Sequence, residues 1–61
     1  SAGFLAARAL QERDRACRII LIDDTTQYAI QGLHLHFADF ILRPVEFRHV
    51  TRSMRLALER F

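Results

Sequence analysis

Two short apolar runs govern what this chain can become: Arg18–Ile22, reading RIILI, and Asp39–Leu42, reading DFIL. Both are rich in β-branched or aromatic residues and both are too short for a helix. Neither alternates polar with apolar, so each is expected to be covered on both faces, as strands of parallel sheets are. Between them, TTQYAIQGLHLHF has the length of a helix. Two strands joined by a helix form a parallel pair with a right-handed crossover. The expectation is an α/β unit.

The flanks extend the alternation. GFLAARALQERDR carries Phe4, Ala7 and Leu10 at helical spacing, uses strong helix formers and ends in charge. Pro44 stops the second strand. A last helix then begins near Glu46, with Phe47, Val50, Met54, Ala57, Leu58 and Phe61 along one stripe. Thr25 or Thr26 is placed to cap the middle helix, with Asp23 and Asp24 near its positive end. The sequence thus predicts one α-β-α-β-α domain over residues 1–61. Its helices are expected at about 3–14, 26–36 and 46–60, and its strands at about 18–22 and 39–42. Two strands are too few for a stable open sheet. The unit is expected to belong to a larger doubly wound sheet, or to be completed by a partner.

Composition narrows the class. A 61-residue chain makes at most one small domain, burying only about 60% of the surface its unfolded form exposes. With 51% hydrophobic and 26% charged residues, it is globular and not a disordered tail. All the basic residues are arginine, but the net charge of +2 is too small to argue for nucleic acid. Cys17, the single cysteine, cannot form an intrachain disulfide, which fits a reducing, cytoplasmic setting. No apolar run approaches the roughly 18 residues of a membrane span, so no membrane association is expected.

From Gly3 onward the residues resemble a known family. In YAIQGLHLHFADFILRPVEF, Tyr28-Ala29 opens a helix, Ala38-Asp39-Phe40 enters a strand and Arg43-Pro44 leaves it. The pattern resembles the second half of the receiver domain of two-component response regulators, in the variety that precedes a LytTR-type DNA-binding domain. Such receivers commonly carry a Tyr-Ala helix, then Asp-Tyr-Leu-Leu-Lys-Pro, then an amphipathic helix. The resemblance implies half of a flavodoxin-like parallel sheet, within a phosphorelay that regulates transcription. A histidine kinase would be a partner of the full-length protein.

Two alignments compete for IILIDDTT, Ile19 to Thr26. Receivers end their first strand in an acidic pair that binds magnesium, and ILIDD imitates it. The fourth-strand alignment is preferred because it also accounts for the first helix, the Tyr-Ala pair, Asp39-Phe40 and Arg43-Pro44. It places Asp23 where receivers carry a Ser or Thr that hydrogen-bonds the phosphoryl group. Arg43 falls at the phosphate-contacting lysine, and Phe40 at the aromatic that swings on activation. An acidic residue at the first position repels a phosphoryl group, and a planar guanidinium does not freely replace an ammonium. The magnesium-binding pair and the phosphoacceptor would lie upstream of Ser1. No catalysis is therefore expected from these residues, and no cofactor, with magnesium entering only if the other half is supplied.

What remains is association. A third strand would lie beside the fourth in a receiver, so Arg18, Ile19, Ile20, Leu21 and Ile22 would form a naked edge that invites another chain. A homodimer with this strand antiparallel to its own copy, or a chain supplying the missing strands, meets that need. Asp39 is expected to pair with Arg52 or Arg55 within the chain or across a partner, since receivers build dimer faces from such contacts. The Arg43–Pro44 peptide is expected to be cis, as the family's Lys-Pro bond is. The second class of function is a nucleic-acid binder using Arg48, His49, Arg52 and Arg55 on the last helix. Glu46 and Glu59 dilute that charge, and no base-reading side chains are interleaved. His34 and His36, two apart, do not face each other on a helix, and no ligand cluster completes a metal shell.

Overall fold

The computed structural model describes residues 2–59. In chain order the elements are α1 (Ala2–Arg13), β1 (Ile20–Asp23), α2 (Ala29–His34), β2 (Asp39–Leu42) and α3 (Phe47–Leu58). The two strands run parallel, with Ile20 opposite Asp39 and Asp23 opposite Leu42. The pairing continues past both ends. The Ala38 N–H donates to the Ile19 carbonyl at 2.7 Å, and the Arg43 N–H to the Asp23 carbonyl at 2.8 Å. This is a small α/β fold of three helices and a two-stranded parallel sheet.

Strand alternation sorts the sheet into two faces. Ile20, Ile22, Asp39 and Ile41 share one face, and Leu21, Asp23, Phe40 and Leu42 the other. α3 lies on the first, because its Arg52 and Ser53 reach Asp39. α2 lies on the second, where Ala29, Gly32 and Leu33 form a groove with Phe40. α1 sits with α2: the Phe4 ring stacks on Tyr28 with centroids 4.8 Å apart and meets Phe37 at 6.1 Å. The buried apolar core is Phe4, Ile19, Leu21, Ile41 and Ala57.

α2 is much shorter than the expected 26–36. Thr25 caps a turn instead of the helix, its hydroxyl accepting the Gln27 N–H at 2.8 Å. Tyr28 stands at the N-cap and makes no side-chain capping bond. At the other end the His36 N–H returns to Leu33 O and the Phe37 N–H to Gly32 O, both at 3.0 Å. These are the two bonds of a Schellman stop, which needs a left-handed residue. His36 takes that role with φ of 63°. Phe37 then folds back over the helix. A Cβ on Gly32 would stand 3.1 Å from the Phe37 ring, which is why glycine fits inside this helix.

Carbonyls left open at helix C-termini need donors, and here side chains from other elements supply them. The Gln11 amide on α1 donates to Leu35 O, the end of α2. The Arg18 guanidinium donates to Ala57 O and, at 2.8 Å, to Glu59 O, the end of α3. β1 accordingly starts at Ile20, two residues later than expected, while Arg18 turns toward α3.

α3 also differs from the sequence pattern. It buries Ala57 of the expected stripe together with Ser53, and leaves the stripe's bulky members outside. Phe47 and Leu58 are 82% and 67% exposed, and Val50 and Met54 are exposed as well. The cause is Asp39. Its carboxylate draws Ser53 and Arg52 toward β2 and so sets the rotation of the helix. Phe61, and the extension of this helix to residue 60, lie outside the described residues. Among the described residues no helix is long and apolar enough to cross a membrane.

Candidate functional site

Open parallel sheets bind ligands beyond the carboxyl ends of their strands. Asp23 and Arg43 stand at that end. The Asp23 carboxylate accepts the Asp24 N–H at 2.7 Å through Oδ1, while its Oδ2 is buried without a protein partner. The Arg43–Pro44 peptide is cis. The Arg43 guanidinium pairs with Asp24, at 3.2 Å, and not with Asp23. Both members of that pair are more than half exposed, so it contributes at most about 1 kcal/mol. Asp23 and Arg43 are thus neighbours through their backbones, and their charged groups are engaged separately. Among the described residues no group of three His, Cys, Asp or Glu side chains could hold a metal ion.

Phe40, the position matched to the switch aromatic, is half-buried on the α2 face. It lines a groove of about 340 Å³ with Ile30, Leu33 and Phe37. Ile30 and Leu33 are well exposed at its rim.

Asp39 organises the other face. Its Oδ1 accepts the Phe40 N–H at 2.8 Å. Its Oδ2 accepts from the Ser53 hydroxyl and from Arg52, whose Nε lies at 3.0 Å and Nη2 at 2.9 Å. Burial pushes the carboxyl up, but the bonds from Ser53, the Phe40 amide and Arg52 outweigh it and leave the group below its ordinary 3.8. Of the two arginines expected to reach Asp39, Arg52 does so. Arg55 makes no ion pair among the described residues. Ser53 has no exposure at all. Sequence reasoning passed over it, because a serine beside a charged helix face reads as solvated. Its position one residue after the Asp39-seeking arginine was the available signal.

Two further side chains of α3 lie beside Glu46. Arg48 Nε lies 2.7 Å from Glu46, and His49 lies 3.8 Å from the same carboxylate. His34 ends α2 and His36 terminates it, so neither joins a cluster.

Of the expected edge residues, Ile19 and Leu21 are buried, Ile20 is half-buried and Ile22 is exposed. Arg18 is spent on the end of α3. Among the described residues β1 pairs with β2 only, so its other side offers unpaired backbone. No family model, curated protein or solved structure matches the chain.

Proposed function

We propose that this chain is a receiver-like unit acting in signalling through association with another protein chain, with no catalysis of its own. The observation that carries the reading is the open side of β1, an unpaired apolar strand edge flanked by exposed Ile22. Such an edge is a template for another strand. Its occupant is a second copy or a chain that supplies further strands of a flavodoxin-like sheet. Asp23 and Arg43 are the counterparts of phosphoryl-binding positions, and their present engagement supports a unit that does not take up phosphate by itself. In a full-length protein the partner would include a histidine kinase, and magnesium would enter only with the other half of the site. A cytoplasmic location belongs to the same reading.

The nucleic-acid alternative loses support from α3, where Arg48 and Arg52 are tied to Glu46 and Asp39. Two titrations test the choice. Duplex DNA at two salt concentrations is expected to give no salt-steep binding, and acetyl phosphate with magnesium to leave the intact mass unchanged. Affinity that falls steeply with salt, as counterion release requires, would establish the binder instead. A stable phosphoryl adduct would refute the absence of phosphate chemistry.

A further inference from the structure

A depression runs between α1 and the end of α2. Arg8, Gln11 and Arg15 follow Phe4 at steps of three and four, which puts them on one side of α1 and of the turn after it. They form one wall, and His34, Leu35 and His36 form the other. The Gln11 amide, bonded to Leu35 O, ties the walls together. Concavities of about 220, 310 and 530 Å³ follow one another along it, each sharing lining residues with the next. They make one trough that widens toward Arg18. Phe4 lines the narrow end, with the Arg8 guanidinium 6.0 Å from its ring centroid.

Positive charge is concentrated here. Three arginines and one carboxylate, Glu59, line the trough. The net charge of the sequence is +2, so the ionised side chains outside the trough cancel one another and the excess lies along this one line. Arg15 makes no ion pair among the described residues, whereas Arg43, Arg48 and Arg52, all outside the trough, are each paired.

We propose that this trough is the docking site for an acidic segment of another protein, rich in carboxylates with apolar residues between them. The site uses none of Ile19–Ile22 and does not rest on the strand-edge reading. Guanidinium groups pair with carboxylates and phosphates alike, so the surface between the charges decides the ligand. Leu35, Ala38 and Leu56 give it apolar ground from the middle to the wide end. Phe4, the aromatic ring among its described lining residues, is 4% exposed and stacked on Tyr28. No ring in the trough is therefore free to stack bases, as single-stranded nucleic acids require. An acidic peptide needs none.

Fluorescence anisotropy on the intact chain tests the site with three probes: a dye-labelled peptide of repeating Glu-Glu-Leu, its Gln-Gln-Leu counterpart and a labelled oligothymidylate. The acidic peptide is expected to bind at micromolar concentration and the glutamine peptide not to bind. Arg15→Glu, at an exposed position, is expected to stay folded by circular dichroism and to weaken binding about tenfold through like charges. Arg55→Glu, on α3 and outside the trough, changes the net charge equally and is expected to leave the affinity within about twofold. Amide nuclear magnetic resonance of the wild type should place the largest peptide-induced shifts at Arg8, Arg15, His34 and His36, a readout that stands even if Arg15→Glu unfolds. Equal losses from the two variants would reduce the effect to net charge and overturn the site, as would shifts centred on another face. Oligothymidylate bound more tightly than the peptide, and released by Arg15→Glu, would assign the trough to nucleic acid and overturn the acidic-segment proposal. Failure of the acidic peptide to bind would overturn the docking site while leaving the strand-edge reading standing.

Discussion

Replacing Ile20 with proline is expected to abolish both folding and assembly. Ile20 opens β1, a strand of four residues, and pairs with Asp39 at the start of β2. Proline supplies no N–H and fixes φ near about −65°, away from the extended value of a strand. It also removes a half-buried apolar side chain, worth about 1.5–3 kcal/mol when fully buried. A chain of this size has roughly 3–9 kcal/mol of total stability, so the combined loss is comparable with the whole. The expected result is a disordered far-ultraviolet spectrum and a species sedimenting as an unfolded monomer. Ile20→Val, which keeps the strand, should cost no more than about 1.5 kcal/mol. A well-folded Ile20→Pro variant would show that β1 does not organise the fold.

Replacing Asp39 with alanine is expected to cost about 2–4 kcal/mol, from the usual worth of hydrogen bonds to a charged group and the penalty for a buried donor left unpaired. The Ser53 hydroxyl is fully buried and would lose its acceptor. Arg52, nearly half exposed, can return to water. Arg52→Ala should therefore cost less, about 1 kcal/mol or under, with Ser53→Ala between the two. Denaturant titration would establish the order, and equal costs for all three would refute this division of the network. The acid dependence follows in sign. Because the folded carboxyl titrates below its unfolded value, its contribution is present above about pH 4 and fades as pH falls through the folded pKa. Asp39→Asn, which still accepts from Ser53, should lose that part of the acid sensitivity.

The alternation of helix and strand was legible because RIILI and DFIL are apolar on both faces, a local property that survives any tertiary context. Asp39 with Arg52 was legible because an acid at a strand entrance and an arginine one helix away are visible as types. The length of α2 was not. Its stop depends on His36 adopting a positive φ and on Phe37 closing over Gly32, where a glycine after the helix would have been the usual signal. The rotation of α3 was hidden for a related reason. Hydrophobic patterning points Phe47 and Leu58 inward, but the Asp39 carboxylate selects Ser53 as the buried contact. The caps from Gln11 and Arg18 span 24 and 39 residues in sequence, so no local pattern announces them. The Arg18 guanidinium, expected at an interface, bonds the end of α3 within the chain.

The central claim is that this unit completes its fold through another chain, and the thermal midpoint measured across a hundredfold range of protein concentration tests it most directly. When folding is coupled to assembly, mass action makes the midpoint depend on concentration. For a protein of this size each 1 kcal/mol moves the midpoint by about 4–8 °C. The account predicts a midpoint that climbs by several degrees with concentration, alongside a sedimenting assembly. A sharp, cooperative transition whose midpoint stays fixed over that range, in a protein that sediments as a monomer, would contradict it.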